Sequence, residues 1–219
     1  MKRPSLLASI RADLVAHDRF GIGPGWGPRG GGAGAWWHRY RRNHHAAGIM
    51  ILFRLREWAL RWPTGPLPGL CDRFMEIVHH TSISRGVRLG VGVYFPHGDA
   101  HIHGETTIGD CVIVGVHTGI GLRGSFFSDD MGTRGPVIGA YARVGTGAKV
   151  LGAITVGDRA VIGAGAVVLD DVPEAATVVG VPARVVRQGP VGDELAPALE
   201  RLEALRRMSE PGPEEGGAR

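Results

Sequence analysis

Cysteine is scarce in this chain of 219 residues: only Cys71 and Cys111 occur, too few for a disulfide framework. Long apolar runs are missing as well. The longest, Ile49 to Phe53, falls far short of the ~20 residues that a bilayer-spanning helix needs. The opening residues show no basic segment followed by an apolar stretch and a small-residue cleavage site, so no secretion signal is read there. Excess charge is small, +4 with a sequence pI near 9.6. That weakly suggests an anionic partner, for which a phosphate-bearing cofactor suffices. The expectation is a cytoplasmic protein with no membrane span and no nucleic-acid partner, long enough to bury a core.

Glycine is the opposite case, at 36 residues, and in the second half it is periodic. From Ile138 a branched aliphatic recurs every six residues: Ile138, Val144, Val150, Val156, Ile162 and Val168. Glycine follows most of them. Four residues after the first five stand Ala142, Ala148, Ile154, Ala160 and Ala166. A helix would space its apolar residues by three and four, and a flat strand by two. A period of six means a short strand, a corner, and another short strand. Three such sides close a triangular coil, with the aliphatic filling the prism and small residues at the corners. Glycine there is expected to supply backbone conformations that a Cβ would resist.

Earlier in the chain the same period runs through Ile83, Leu89 and Phe95, slips by one, and resumes at Ile102, Ile108, Val114 and Ile120. The slip places a small bulge over Pro96 to His101. Residues 121–137 have no six-residue register and are expected to leave the coil as a loop; such loops often carry function. The coil ends at Asp170-Asp171-Val172-Pro173, followed by Gly180-Val181-Pro182-Ala183-Arg184. The first 80 residues read as a helical cap. One helix spans 1–17 with Leu6, Leu7, Ile10 and Leu14 on one face. A glycine- and proline-rich linker fills 21–35. A second helix runs over 37–62 with Ala47, Ile51, Leu55, Trp58 and Trp62 as its apolar stripe, ended by Pro63. A third follows Pro68 with Leu70, Phe74 and Ile77 inward. Residues 81–187 form the β domain. Within 188–219, Asp193 caps a last helix carrying Leu195, Leu199, Leu202 and Leu205, and the tail after Met208 is read as disordered.

The six-residue frame resembles the hexapeptide-repeat acyltransferases, whose fold is a left-handed parallel β-helix; the handedness comes from the resemblance. Within that family the chain looks most like the serine O-acetyltransferase branch and its sugar-modifying relatives. Four stretches carry the likeness: Leu89 to His97, Ile102 to Asp110, the loop end Arg134-Gly135-Pro136, and Gly180 to Arg184. The opening helix (Ser9 to Leu14) adds a weaker match. The resemblance implies an acetyl-CoA-dependent O-acetyltransferase acting by direct transfer on L-serine or a similar small hydroxy amino acid. It further implies a homotrimer with the active site between neighbours. The alternative acceptor is a sugar or polysaccharide hydroxyl.

Residue roles follow from the same likeness. His97 is the general base, and an imidazole suits proton removal from a hydroxyl at neutral pH. The serine enzymes orient it with carboxylates at positions that are Ser82 and Pro96 here. Asp99 and Glu105 are the substitute orienters. Arg134, with Ser82 and Pro96, belongs to the acceptor side, where a guanidinium fork suits a carboxylate. The residue after that arginine is a histidine in the serine enzymes and Gly135 here. Gly121, Thr146, Gly147, Ala164 and Gly165 are where the family lays the pantetheine arm, and Arg184 can meet a CoA phosphate. Cys111 is read as a buried filler rather than an acyl carrier. No metal is expected. Two lesser readings remain open: a zinc-dependent β-helical carbonic anhydrase using His97, His101, His103 and His117, and a non-catalytic scaffold.

Overall fold

Coils of eighteen residues stack into a three-sided parallel β-helix. In the computed structural model the described residues are 5–19, 44–63, 65–124 and 134–189. The linker 21–35, residues 37–43, the centre of the 121–137 loop and the helix expected after Asp193 lie outside them. All described residues belong to one unit that ends at Gly189.

One side of the prism stacks β1 (Ser82–Ile83), β3 (Ala100–Ile102), β6 (Thr118–Gly121), β9 (Lys149–Leu151) and β12 (Val167–Val168). The second stacks β2 (Arg88–Leu89), β4 (Thr107–Ile108), β7 (Val137–Ile138) and β10 (Thr155–Val156). The third stacks β5 (Ile113–Val114), β8 (Arg143–Val144), β11 (Val161–Ile162), β13 (Thr177–Val179) and β14 (Arg184–Arg187). All neighbours pair in parallel except β13 with β14. Lys149 returns at Val167 after eighteen residues, but Ser82 returns at His101 after nineteen. The extra residue is the slip at Pro96 to His101. Thr107 returns only at Val137, thirty residues on, so the loop takes up twelve residues without disturbing the ladder.

The repeated aliphatics Ile102, Ile108, Val114, Ile120, Ile138, Val144, Val150, Val156, Ile162 and Val168 are buried in one continuous core. Each contributes roughly 1.5–3 kcal/mol by leaving water. Ala142, Ala148, Ala160 and Ala166 are fully buried beside them.

Glycine plays a different part from the one expected. The left-handed corner residues stand three places after the aliphatic: Cys111, His117, Tyr141, Gly147, Arg159 and Gly165 all have positive φ. The glycine directly after the aliphatic is required by close approach. At Gly145 a Cβ would lie 2.6 Å from Ala164 N, on the next coil.

Three helices cover the first coil: α1 (Leu6–Arg19), α2 (His44–Ala59) and α3 (Leu67–His79). The second stops three residues before the expected end, its last turn tightening through Arg61 N→Trp58 O and Trp62 N→Ala59 O bonds. The inward faces also differ from expectation. Helix α3 buries Pro68, Cys71, Met75 and His79 and leaves Leu70, Phe74 and Ile77 mostly exposed. Helix α2 buries the expected Ala47 together with Ala46, Ile49, Met50, Phe53 and Arg56, while Ile51, Leu55 and Trp58 are half-buried and Trp62 is exposed. On α1, Leu7 faces solvent and Asp13, Ala16 and His17 are buried. Each helix carries two stripes at helical spacing, and polar partners choose between them. Arg56, fully buried, donates to Asp72 Oδ1 at 2.8 Å and Ile83 O at 2.5 Å. Asp13 accepts from Arg54 at 2.9 Å and from Gly92 N at 2.9 Å. Arg54 also donates to Leu89 O and Gly90 O.

Candidate active site

One edge of the prism gathers most of the expected site. The bulge turns the chain at Pro96-His97 and leaves His97 exposed, with no hydrogen bond or ion pair among the described residues. Its loop is pinned from behind: Asp99 N donates to His79 O at 2.9 Å, where α3 ends. The later corners then stack on this one. His117 N donates to Asp99 O, Gly147 N to Val116 O, and Gly165 N to Thr146 O, all at 2.7–2.8 Å. From His97 the edge therefore runs over Asp99, His117, Thr146-Gly147 and Ala164-Gly165. Thr146, Ala164 and Gly165 are exposed, and Gly147 is half-buried. This is a ridge of backbone with few side chains, leading to an imidazole. Gly121, also assigned to this ridge, is buried at the opposite end of β6.

Asp99 contacts a different imidazole from the expected His97. Its Oδ2 lies 2.6 Å from Nδ1 of His117. Both residues hold left-handed backbone, φ +55° and +57°, and the Lys149 ammonium bonds His117 O at 2.8 Å. The pair was missed at the sequence level, although an eighteen-residue spacing marks the same corner one coil on. Glu105 is exposed, with no side-chain partner among the described residues. Ser82 is half-buried, pairs with His101 in the ladder, and lines a cleft with Asp72, Glu76 and Arg85. Neither Glu105 nor Ser82 has a contact that joins it to His97. Pro96 is half-buried beside the base.

Arg134 stands at the other end of β3. Its neighbour Gly135 packs so closely on Thr106 and His103 that a Cβ would lie 2.2 Å from Thr106 Oγ1 and 3.2 Å from His103 O. His103 is thus near the loop end, just beyond β3, whereas His97 stands at the corner before β3. Among the described residues no hydrogen bond or ion pair joins Arg134 to His97. The His103 ring accepts or donates at 2.9 Å with Ser84 Oγ and stacks on His101. Burial, with the charge of His101, lowers its pKa. Among the described residues no three metal-ligating side chains come together.

Burial, then Asp110 and Asp13, push the Cys111 thiol up to about 12. A thiol held neutral is a poor nucleophile. Arg184 is exposed, 3.6 Å from Asp170. Its segment crosses back over the prism, Ala183 N donating to Val167 O at 2.7 Å.

Coil, corner imidazole and open ridge define a hexapeptide-repeat acyltransferase, and residues 135–170 match the family model described as bacterial transferase hexapeptide (six repeats). Over 171 residues, 71% of this chain and 68% of the relative, it is 35% identical to the serine acetyltransferase of Synechococcus elongatus. The chain belongs to the serine acetyltransferase family. The Bacillus licheniformis serine acetyltransferase is 49% identical over 107 residues, 48% of either chain. A solved serine acetyltransferase in complex with CoA superposes with a TM-score of 0.65 at 26% identity, covering 84% of this chain and 70% of that one. The fold shared with such structures is the left-handed β-helix. The chain therefore spans between about half and about two thirds of the relatives it matches. No described helix is long and apolar enough to cross a membrane.

Proposed function

We propose that this chain transfers the acetyl group of acetyl-CoA to the hydroxyl of L-serine or a similar small hydroxy amino acid, in the cytoplasm. The observation that carries this reading is the shared corner edge, on which His97 terminates the ridge of Thr146-Gly147 and Ala164-Gly165. The ridge fits an extended amide-bearing arm, because stacked corners offer backbone groups and almost no side-chain bulk. Arg184, exposed at the exit from the coil, suits a phosphate of the same molecule. His97 removes the acceptor hydroxyl proton as the oxygen attacks the thioester carbonyl. The acetyl group then passes directly between the two bound molecules.

The placement of His97 before β3 and of the Arg134 loop end beyond it favours a homotrimer in which Arg134 of one copy serves His97 of the next. In that arrangement Arg134 holds the acceptor carboxylate. A sugar hydroxyl is the second reading, favoured by Gly135, whose packing on Thr106 leaves no room for a side chain. Thiol release from acetyl-CoA, followed with L-serine and with a panel of sugars, separates the two. Serine-dependent release that falls about 10²–10⁴-fold in His97→Ala is the expected result. Release with sugars alone reassigns the acceptor, and release untouched by His97→Ala removes the base.

A further inference from the structure

We propose that His117, held by Asp99, is a second catalytic imidazole that gives its proton to the departing sulfur. The inference rests on the acetyl-transfer reading above. A transfer from thioester to hydroxyl has two proton movements. His97 takes the hydroxyl proton as the C–O bond forms. The C–S bond breaks, and the thiolate that leaves must be neutralised. The group that does so has to stand nearer the thioester arm than His97 does.

His117 stands there. On the corner edge it lies one coil above His97, and the next corner up is Thr146-Gly147, the start of the ridge. Its Nδ1 is taken by Asp99 Oδ2 at 2.6 Å, so the ring is fixed and Nε2 is the nitrogen left to face outward. The side chain is 70% exposed on this open edge. Its backbone is fixed two ways, its N–H on Asp99 O and its carbonyl under Lys149 Nζ, and Asp99 N–H is in turn held by His79 O. These two adjacent corners present an imidazole and a carboxylate to one another. This is a base–carboxylate couple of the kind that holds a ring in one tautomer and orientation. It stands in a chain where Ser82 and Pro96 occupy the positions expected to orient His97. Protonated, His117 delivers the Nε2 proton to sulfur. The products are the acetyl ester, CoA thiol, a protonated His97 and a neutral His117, and solvent exchange resets both rings.

The test varies the leaving group. Acetyl esters of an alkyl thiol and of a nitro-substituted arylthiol are compared in wild type, His117→Asn, Asp99→Asn and His97→Ala. Asparagine tolerates positive φ, so the corner is retained. The proposal expects His117→Asn to lose about 10²-fold with the alkyl thioester and little with the aryl one, whose thiolate leaves unaided. Asp99→Asn shows the same donor dependence with a smaller loss. His97→Ala loses activity equally with both donors. An equal loss in His117→Asn with both donors, or none with either, overturns the proposal. A second readout needs no turnover. The His117 ring resonances should shift with CoA more than with CoA lacking its sulfur, and equal shifts overturn the assignment. Wild type without transfer to any acceptor would instead strike the acetyltransferase reading, leaving the sulfur-dependent shift to decide the placement of His117.

Discussion

Two residues show how much hangs on single atoms. His17 donates Nε2–H to Val93 O at 3.0 Å, and its Nδ1 is buried without a partner. Burial lowers its pKa, against the smaller opposing effects of Val93 and Asp13. The folded ring is therefore neutral where the unfolded ring begins to protonate. That stability is fully present above about pH 6.5, and is lost as pH falls from there toward the lowered folded value. Thermal melts from pH 7.5 to 5 should show this loss, and His17→Phe should remove that part of the slope. Gly135 is the second case. A methyl group there meets Thr106 Oγ1, so Gly135→Ala should cost about 1–3 kcal/mol by overpacking. Thr106→Ala removes the clashing hydroxyl together with its bond to His103 O. Denaturant titration of the double variant should therefore show less destabilisation than the two single losses added. Additive losses would mean that the loop end relaxes freely. Replacing Gly135 with the histidine of the serine enzymes is expected to fail for the same reason.

At the level of elements, the coil was legible and the helices were not. A strict six-residue period fits neither a helix nor a flat strand, so Ile138 to Val168 marked the strands and their inward faces, though not the hand of the coil. The slip at Pro96 to His101 and the interruption at 121–137 were visible as breaks in the count. Helices α1 and α2 follow the expected stripes only in part, and on α3 apolar bulk pointed to the outward face. Leu70, Phe74 and Ile77 outweigh Cys71 and Met75 in hydrophobicity, yet it is the latter pair that packs inward beside the buried Arg56–Asp72 bridge. A buried arginine leaves no signature in periodicity. Nor did glycine after each aliphatic reveal whether it served conformation or close approach. Asp13 is the most consequential of these hidden partners, since it ties α1 to Arg54 and to Gly92 at once. Asp13→Ala leaves the Arg54 guanidinium without its carboxylate and should cost about 3–5 kcal/mol. Hydrogen exchange would locate that loss, with the amides of α1 opening before those of the coil. Uniform opening would mean that the helix and the first coil unfold together.

For the whole molecule, the candidate site was legible only in part, because its members lie at opposite ends of one strand. His97 and the corners above it share an edge, whereas Arg134 belongs with Thr106 and His103 beyond β3. Neighbouring sequence positions give no hint of which chain completes which site. If copies meet around the prism axis, each site takes its base from one chain and its arginine from the next. Two inactive variants should then rescue one another. Co-expressed in equal amounts, His97→Ala and Arg134→Ala chains form mixed trimers. A site survives where an Arg134→Ala chain supplies His97 and a His97→Ala chain supplies Arg134. Random mixing in a cyclic trimer makes about one quarter of the sites complete, so activity should return to about that share of wild type. Each variant alone should stay near its own low level. No recovery in the mixture, with the mass of a trimer confirmed by light scattering, would place both residues in one chain's site. Arg134 would then have to reach His97 along its own β3 rather than across an interface.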